Sequence, residues 1–356
     1  MQLLEKIGFN KFFQDQVDSR RIKDFKIARV ITVNKNSFIV SDGEKDIFAE
    51  LTGKFLFNSD SPLDYPTVGD WTYVQLFDDD SFAVIHELFP RKSLLKRKTP
   101  GKKIEYQLIA ANVDTALVMQ SVDNNFNIRR LERYLVMVYE SNIRPIVLLS
   151  KRDLISLDET KTKEAEIHKV MHDIPIVAFS NHNSVDTENV KKLLNAGEAY
   201  CLLGSSGVGK TTLLNNLIHE DLYKTQAIRE KDGRGRHTTS RRELIVLENG
   251  AMVVDNPGMR ELGIIESDSG LSSTFDEIVD LTSQRRFTDC SHTHEQDCAV
   301  LNGIESGLIT KERYNNYLKM LKEAEYHEMS YVERRKKDKS FGKFVHSVMK
   351  HKKDKQ

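Results

Sequence analysis

GSSGVGKT, residues 204–211, is the stretch that decides the fold. It fits G-x-x-x-x-G-K-[ST], a loop whose backbone N–H groups cradle phosphate. Its frame agrees with that reading. Ala199–Leu203 (AYCLL) before it reads as a short buried strand, and Leu213, Leu214, Leu217 and Ile218 after it fall at helical spacing. A loop between strand and helix aims its amides and the helix N-terminus at one anion. Gly204, Gly207 and Gly209 let the backbone close around a phosphate without a Cβ in the way, with Ser205, Ser206 and Val208 between them. Lys210 is spaced to reach the β- and γ-phosphates, and the Thr211 hydroxyl to ligate Mg²⁺, with Thr212 as a further nucleotide contact. An ordinary glycine-rich turn with a chance lysine is the bland alternative, and the framing argues against it.

A phosphate loop does not say which base is bound. Upstream, the apolar run Ile146–Leu149 (IVLL) ends in Ser150-Lys151-Arg152-Asp153. This resembles the Asn-Lys-x-Asp guanine-reading motif. The Asp153 carboxylate can accept from both N1–H and the exocyclic amine of guanine, a donor pair that adenine lacks. The Lys151 stem would lie along the flat base. Ser150 replaces the usual asparagine, so it offers a hydroxyl where an amide is expected. Ile174–Ser180 (IPIVAFS) reads as another strand, and Ser180 is placed to help close the base pocket.

The base motif precedes the phosphate loop, the reverse of the usual order, as expected if a domain's ends were joined and a new break made elsewhere. Two more pieces follow downstream. Gly233–Thr239 (GRGRHTT) is a basic loop whose Thr238, or alternatively Thr239, would meet Mg²⁺ when a γ-phosphate is present. Ala251–Val254 (AMVV) reads as a strand ending in Asp255-Asn256-Pro257-Gly258, similar to the Asp-x-x-Gly switch. Asp255 would hold the Mg²⁺ shell and the Gly258 amide would sense the γ-phosphate.

With GSSGVGKTTL at 204–213, GRGRHTT at 233–239, DNPGMRELG at 255–263 and FTDCSHTHEQDCAV at 287–300, the chain resembles the ribosome small-subunit-dependent GTPase A family over nearly its whole length. That resemblance implies an N-terminal OB barrel, a circularly permuted GTPase domain and a small C-terminal zinc-binding domain. It implies GTP as substrate with Mg²⁺, and the small ribosomal subunit and its rRNA as partners in late maturation of that subunit. Its zinc pattern, Cys-x4-Cys-x-His-x5-Cys, aligns its last three ligands with Cys290, His292 and Cys298. Arg285 stands at the first position and cannot ligate, so the fourth ligand is His294 or a water, or the domain is held by packing alone.

The rest of the chain fits this outline. Its 356 residues suggest two or three domains, and 53 Lys/Arg against 53 Asp/Glu exclude a uniformly polyanion-binding surface. The basic residues cluster instead: Arg91–Lys103 has seven Lys/Arg and no acid, Arg229–Arg242 has six, and Tyr331–Gln356 has ten against three acids. Such runs are usually solvated, and beside a GTPase core they are candidate contacts to RNA phosphate. From Phe25 to Phe89, five β runs (FKIARVITV, SFIVSD, DIFAEL, WTYVQLF, FAVIHELF) fit a small barrel. Periodicity alone leaves OB and SH3-like barrels open; the resemblance favours OB. The expected fold class is therefore multidomain α/β. Its parts are a helical extension at 1–21, a barrel at 22–95, a basic linker at 96–110, a permuted P-loop domain with a mostly parallel sheet at 111–265, a helical zinc-type domain at 266–330 and a basic tail at 331–356. MQLLEKIGFNKFF lacks a signal's apolar core, no run approaches the ~18 apolar residues of a membrane span, and three cysteines do not make a disulfide framework. A cytoplasmic monomer that does not bind membranes is expected. Cys201, in the strand before the phosphate loop, reads as a small core residue.

The expected reaction is GTP hydrolysis through Lys210, Mg²⁺ and backbone amides. Met259, where many GTPases carry a water-orienting glutamine, cannot hydrogen-bond a water. His237 is a candidate for that role, and an exposed RNA-touching histidine is the equal alternative. The rival classes are a P-loop NTPase of other nucleotide specificity and a GTP-regulated RNA-binding module with negligible catalysis.

Overall fold

In the computed structural model, the described residues are 2–34, 37–98, 106–171, 173–218, 242–255, 268–284 and 298–329. They fall into two compact units, residues 1–263 and 264–356.

The first unit opens with two short helices, α1 (Gln2–Lys6) and α2 (Lys11–Gln14). Five strands follow: β1 (Lys26–Val33), β2 (Phe38–Ser41), β3 (Asp46–Leu51), β4 (Trp71–Phe77) and β5 (Phe82–Leu88), with α3 (Gly53–Asn58) between β3 and β4. They pair in the order β1-β2-β3-β5-β4, and β4 returns to β1, so the sheet closes. The β3–β5 pair is parallel and the others antiparallel. A closed five-strand barrel with that crossing is an OB fold. Alternation fills it: Ala28, Val30, Val40, Ile47, Ala49, Val74, Ala83 and Ile85 point inward to one core.

Residues 96–110, expected as a linker, carry structure. β6 (Leu94–Lys98) and β7 (Tyr106–Ala111) form an antiparallel pair on either side of residues 99–105. Leu95, Leu108 and Ala110 bury on the same ladder, a pattern that the basic residues between them obscure in the sequence.

The second half of this unit is a sheet in the order β10-β9-β8-β11-β13-β12. Its strands are β8 (Thr115–Ser121), β9 (Arg144–Ser150), β10 (Ile176–Ala178), β11 (Ala199–Gly204), β12 (Arg242–Val246) and β13 (Met252–Asp255). All pairs are parallel except β12–β13. β8 and β11 are buried throughout, as a central parallel strand requires. On β8, Ala116 and Val118 join one core while Leu117 and Met119 join the other. The first core takes Leu131, Leu135 and Val138 of α4 (Ile128–Glu140) and Ile167 of α5 (Leu157–His168). The second takes Val190 of α6 (Ser184–Lys191) and Leu213, Leu214 and Leu217 of α7 (Lys210–Ile218). Helices thus cover both faces. Their starts are set by side-chain caps: Asn127 for α4, a Ser156–Glu159 capping box for α5 and Asn183 for α6.

Barrel and parallel sheet are continuous. The end of β1 pairs with β12 through Thr32–Glu243 and Val33–Arg242, giving one sheet of 11 strands.

The second unit is helical among its described residues: α8 (Asp268–Thr274), α9 (Asp276–Ser283), α10 (Ala299–Glu305) and α11 (Lys311–Glu328). Arg313 on α11 braces them, donating to the Glu277 carboxylate and, at 2.8 Å, to the Thr274 carbonyl. No helix among the described residues is long and apolar enough to cross a membrane.

Candidate functional site

The carboxyl ends of parallel strands with helices on both faces are where open α/β sheets bind ligands. Four of these ends, on β9, β10, β11 and β13, carry residues singled out in the sequence, and hydrogen bonds draw the loops of the first three together.

The phosphate loop leaves β11 at Gly204 and enters α7 at Lys210. Gly204 has φ 144°, and a Cβ there would lie 2.5 Å from the Met119 carbonyl oxygen, so β8 packs too closely for any other residue. Gly209 has φ 97°, and a Cβ there would lie 2.6 Å from Nδ2 of Asn181. Lys210 Nζ donates to the carbonyls of Gly204 (2.7 Å) and Ser205 (2.8 Å), folding the ammonium over the loop. Burial lowers its pKa to about 8, partly opposed by Asp255. Thr211 is exposed beside it, as are Ser206 and Gly207, while Ser205 is half-buried.

Ser150 ends β9 and is fully buried. Its hydroxyl donates to the Val208 carbonyl of the phosphate loop at 2.7 Å. The serine that departs from the guanine-reading pattern thereby still joins base loop to phosphate loop. Lys151 follows with φ 63°, a left-handed conformation uncommon outside glycine, and its Nζ meets Oδ2 of Asp123 at 2.8 Å. Asp153 is exposed, as a ligand-reading carboxylate must be. A hydrogen bond from Ser180 holds its carboxyl below the usual carboxylate range, with burial opposing. The structure therefore brings Ser180 and Asp153 together.

The β10 loop completes the arrangement. Asn181 Nδ2 donates to the Gly209 carbonyl at 3.1 Å, and the Asn181 carbonyl accepts from Asn216 on α7 at 3.0 Å. Arg152 grips Asp186 on α6 through two bonds, one of 2.8 Å, and Asp186 also accepts the Ser180 amide at 2.9 Å. The variable position of the base motif thus ties the two base-side loops together.

Asp255 ends β13, next to β11. Burial and the Glu243 carboxylate across the β12–β13 ladder push its carboxyl up to about 6, against the pull of Lys210. A buried carboxylate near a phosphate-binding lysine suits a Mg²⁺ shell, where the cation would offset the repulsion.

Asp123, Asn125, Asn181 and the Arg152–Asp186 pair escape the sequence reading. The signal for the first two is short: Ser-x-Asp-x-Asn at the end of the largely apolar run ALVM, an Asx-type turn. His237, Thr238, Thr239, Gly258, Met259, Arg285, Cys290, His292 and His294 lie outside the described residues. Cys298 is buried at the N-cap of α10, and the described residues contain no group of metal-ligating side chains. Cys201 is fully buried, its thiol pushed up to about 12 by desolvation, which suits a core residue.

In the basic run Arg91–Lys103, Arg91, Lys92 and Lys96 have partners within the protein, and Lys102 and Lys103 lie outside the described residues. Arg91 is forked onto buried Asp70 (2.8 Å for each bond) and bonds the carbonyls of Leu63 and Tyr65. Lys92 pairs with Asp114, and Lys96 lies over the Tyr106 ring. These charges stabilise the junction after the barrel. Charge alone in a sequence does not show such internal partners.

Comparison with known proteins agrees with this geometry. The RsgA GTPase family matches residues 88–265. The small ribosomal subunit biogenesis GTPase RsgA 2 of Vibrio parahaemolyticus is 36% identical over 99% of this chain and 94% of its own length. RsgA 2 of Lactiplantibacillus plantarum is 38% identical over 84% of each chain. Among solved structures, YjeQ from Thermotoga maritima aligns with a TM-score of 0.63 and 26% identity, covering 84% of this chain and 98% of that one. YloQ, described as a circularly permuted GTPase, aligns with a TM-score of 0.60 at 24% identity, a likeness of fold.

Proposed function

The chain belongs to the RsgA GTPase family, and from that premise we propose how its residues bind and hydrolyse GTP in the biogenesis of the small ribosomal subunit. One observation carries the reading. Ser150 bonds Val208, and Asn181 bonds Gly209, so two loops from one end of the sheet lock onto the phosphate loop. A guanosine triphosphate spans that junction, with its base on Asp153 and its phosphates on Gly204–Thr212.

The roles follow from the chemistry. Asp153 accepts from guanine N1–H and the exocyclic amine, with Ser180 steadying it. The 204–209 amides and the Lys210 ammonium neutralise the β- and γ-phosphates. Thr211, Thr238 and Asp255 would hold Mg²⁺, which would supply positive charge to offset that of the phosphates. Gly258 senses the γ-phosphate, and His237 places the attacking water. Ribosomal RNA engages the basic run at 229–242 and so delivers His237 and Thr238 to the nucleotide; subunits thereby raise turnover, and hydrolysis releases the protein. Cys290, His292 and Cys298, with His294 or a water, form a donor set of thiolate and imidazole that suits one structural zinc. The protein acts as a cytoplasmic monomer, because one chain supplies every nucleotide element.

GTP hydrolysis with and without small ribosomal subunits tests this directly. Strong stimulation that weakens with added salt is expected. Equal turnover in both cases removes the ribosomal part of the reading. In a nucleotide competition assay GDP should outcompete ADP, and Asp153→Asn should shift preference towards xanthine nucleotides.

A further inference from the structure

Strand order carries a consequence. The base motif follows β9 and the phosphate loop follows β11, and β8 lies between them. The loop leaving β8, residues 122–127, therefore sits between the two halves of the nucleotide site.

Its side chains are arranged with unequal duties. Asp123 Oδ1 accepts from the Ser121 hydroxyl at 2.7 Å and the Asn125 amide at 3.0 Å. Oδ2 is left for Lys151 Nζ at 2.8 Å. Asn125 turns the other way. Its Nδ2 donates to Ser205 Oγ at 3.1 Å and to the Ser206 carbonyl at 3.4 Å. Arg130 on α4 fixes the Asn125 side-chain oxygen at 2.9 Å, and Gln120 fixes its carbonyl at 3.0 Å.

Lys151 has reason to need a partner. Its backbone is left-handed, a conformation that persists in a non-glycine residue only where surroundings over-determine it. Its side chain is long, and an unanchored lysine loses much rotamer freedom on docking against a base. An ammonium already held by a carboxylate presents the stem in a fixed direction. That carboxylate stays charged, because donors from Lys151, Ser121 and the Asn125 amide outweigh burial and hold Asp123 at about 2.

We propose that Asp123 is a positioning residue for nucleotide binding, presetting Lys151 to lie across the guanine face, while Asn125 on the same loop holds the phosphate loop in register. The inference rests on the guanine-nucleotide reading given above.

Calorimetric titration of the full-length protein with GDP and, separately, with pyrophosphate tests it. Asp123→Asn keeps the Oδ1 acceptor and replaces Oδ2 with an amide that repels the ammonium. GDP affinity should fall about tenfold, with pyrophosphate affinity kept within about twofold. Lys151→Met should cost a similar factor, and the double variant should be no weaker than the weaker single one. Asp123→Glu should recover part of the loss. The proposal is overturned if Asp123→Asn binds GDP like the wild type, if GDP and pyrophosphate weaken equally, or if the two single losses multiply in the double variant. Wild-type protein that binds pyrophosphate and no GDP would instead overturn the guanine-nucleotide reading, and this inference with it.

Discussion

Ser150 shows how one atom-level contact can substitute for another. An asparagine amide has more donors than a hydroxyl, yet the Val208 carbonyl needs only one, and Ser150 supplies it at 2.7 Å from a fully buried position. Ser150→Ala leaves that buried carbonyl unsatisfied, a cost of about 1–3 kcal/mol. Because the bond joins the base loop to the phosphate loop, part of the loss should appear as weaker GDP binding at unchanged secondary structure, measured by titration and circular dichroism. On the proposed assignment of roles, two other side chains should set the acid and alkaline limits of the reaction. kcat/KM reports ionisations of the free enzyme. Asp255, raised to about 6 by burial and Glu243, must be ionised to serve Mg²⁺, so kcat/KM should fall as pH drops through that value. Lys210, lowered to about 8 by burial, must be protonated to neutralise phosphate, so kcat/KM should fall as pH rises through that value. Binding phosphate restores the Lys210 proton, so GDP binding above pH 8 should take up protons, visible as a buffer-dependent calorimetric enthalpy. A pH profile flat from 5 to 9 would contradict both assignments.

At the level of elements, the site is made of loops whose geometry the strands dictate. Gly209 illustrates this. Its positive φ and the 2.6 Å approach of Asn181 to any added Cβ leave no room for a side chain. Gly209→Ala must push the β10 loop away or distort the entry to α7, and GDP affinity should drop at least tenfold, by about 1.4 kcal/mol or more. An unchanged affinity would mean that the contact is not rigid. The same elements explain what could be read beforehand. Gly204–Thr211 and Ser150–Asp153 are short, contiguous patterns whose spacing encodes their chemistry, and the apolar runs before them mark β11 and β9. The five barrel strands were legible because alternation is local. Asp123 was not, since its partner lies 28 residues further along the chain and only the adjacency of β8 and β9 brings them together. The Arg91 ion pair was not legible for the same reason: its partner Asp70 lies across the barrel junction. The parallel closure of β3 on β5, which separates an OB from an SH3-like barrel, is a long-range pairing that no periodicity records.

Across the whole first unit, barrel and parallel sheet share one fate, and Arg29 is the reason to expect it. It is fully buried, and it donates to the carbonyls of Ile7, Gly69 (3.3 Å) and Asn112 (3.4 Å), contacts the Met252 sulfur on β13 and stacks 5.4 Å from the Trp71 ring. Those partners belong to the N-terminal segment, the barrel, the junction and the parallel sheet. Desolvation lowers its pKa to about 10, against the pull of Asp114 and Asp70, so it remains charged at neutral pH. The apolar core makes the same junction: Phe9, Phe13, Trp71, Tyr73 and Phe89 lie in one cluster with Val113, Leu135, Leu203 and Val254. The barrel has its own interior core, but its outer apolar side is buried only by packing in the cluster that it shares with the parallel sheet. Residues 1–263 should therefore melt in a single cooperative transition, with barrel and parallel-sheet probes coincident. Arg29→Met keeps most of the volume but strands buried carbonyls, a loss of about 3–5 kcal/mol by comparison with broken buried charge networks. For a unit of this size that corresponds to a fall in Tm on the order of 10 °C. The decisive result is how the loss is distributed. If Arg29→Met lowers the barrel's melting midpoint and leaves the parallel sheet's in place, the two are independent domains joined by a strand. If both fall together, the barrel and the sheet that ends in Asp255 unfold as one cooperative unit.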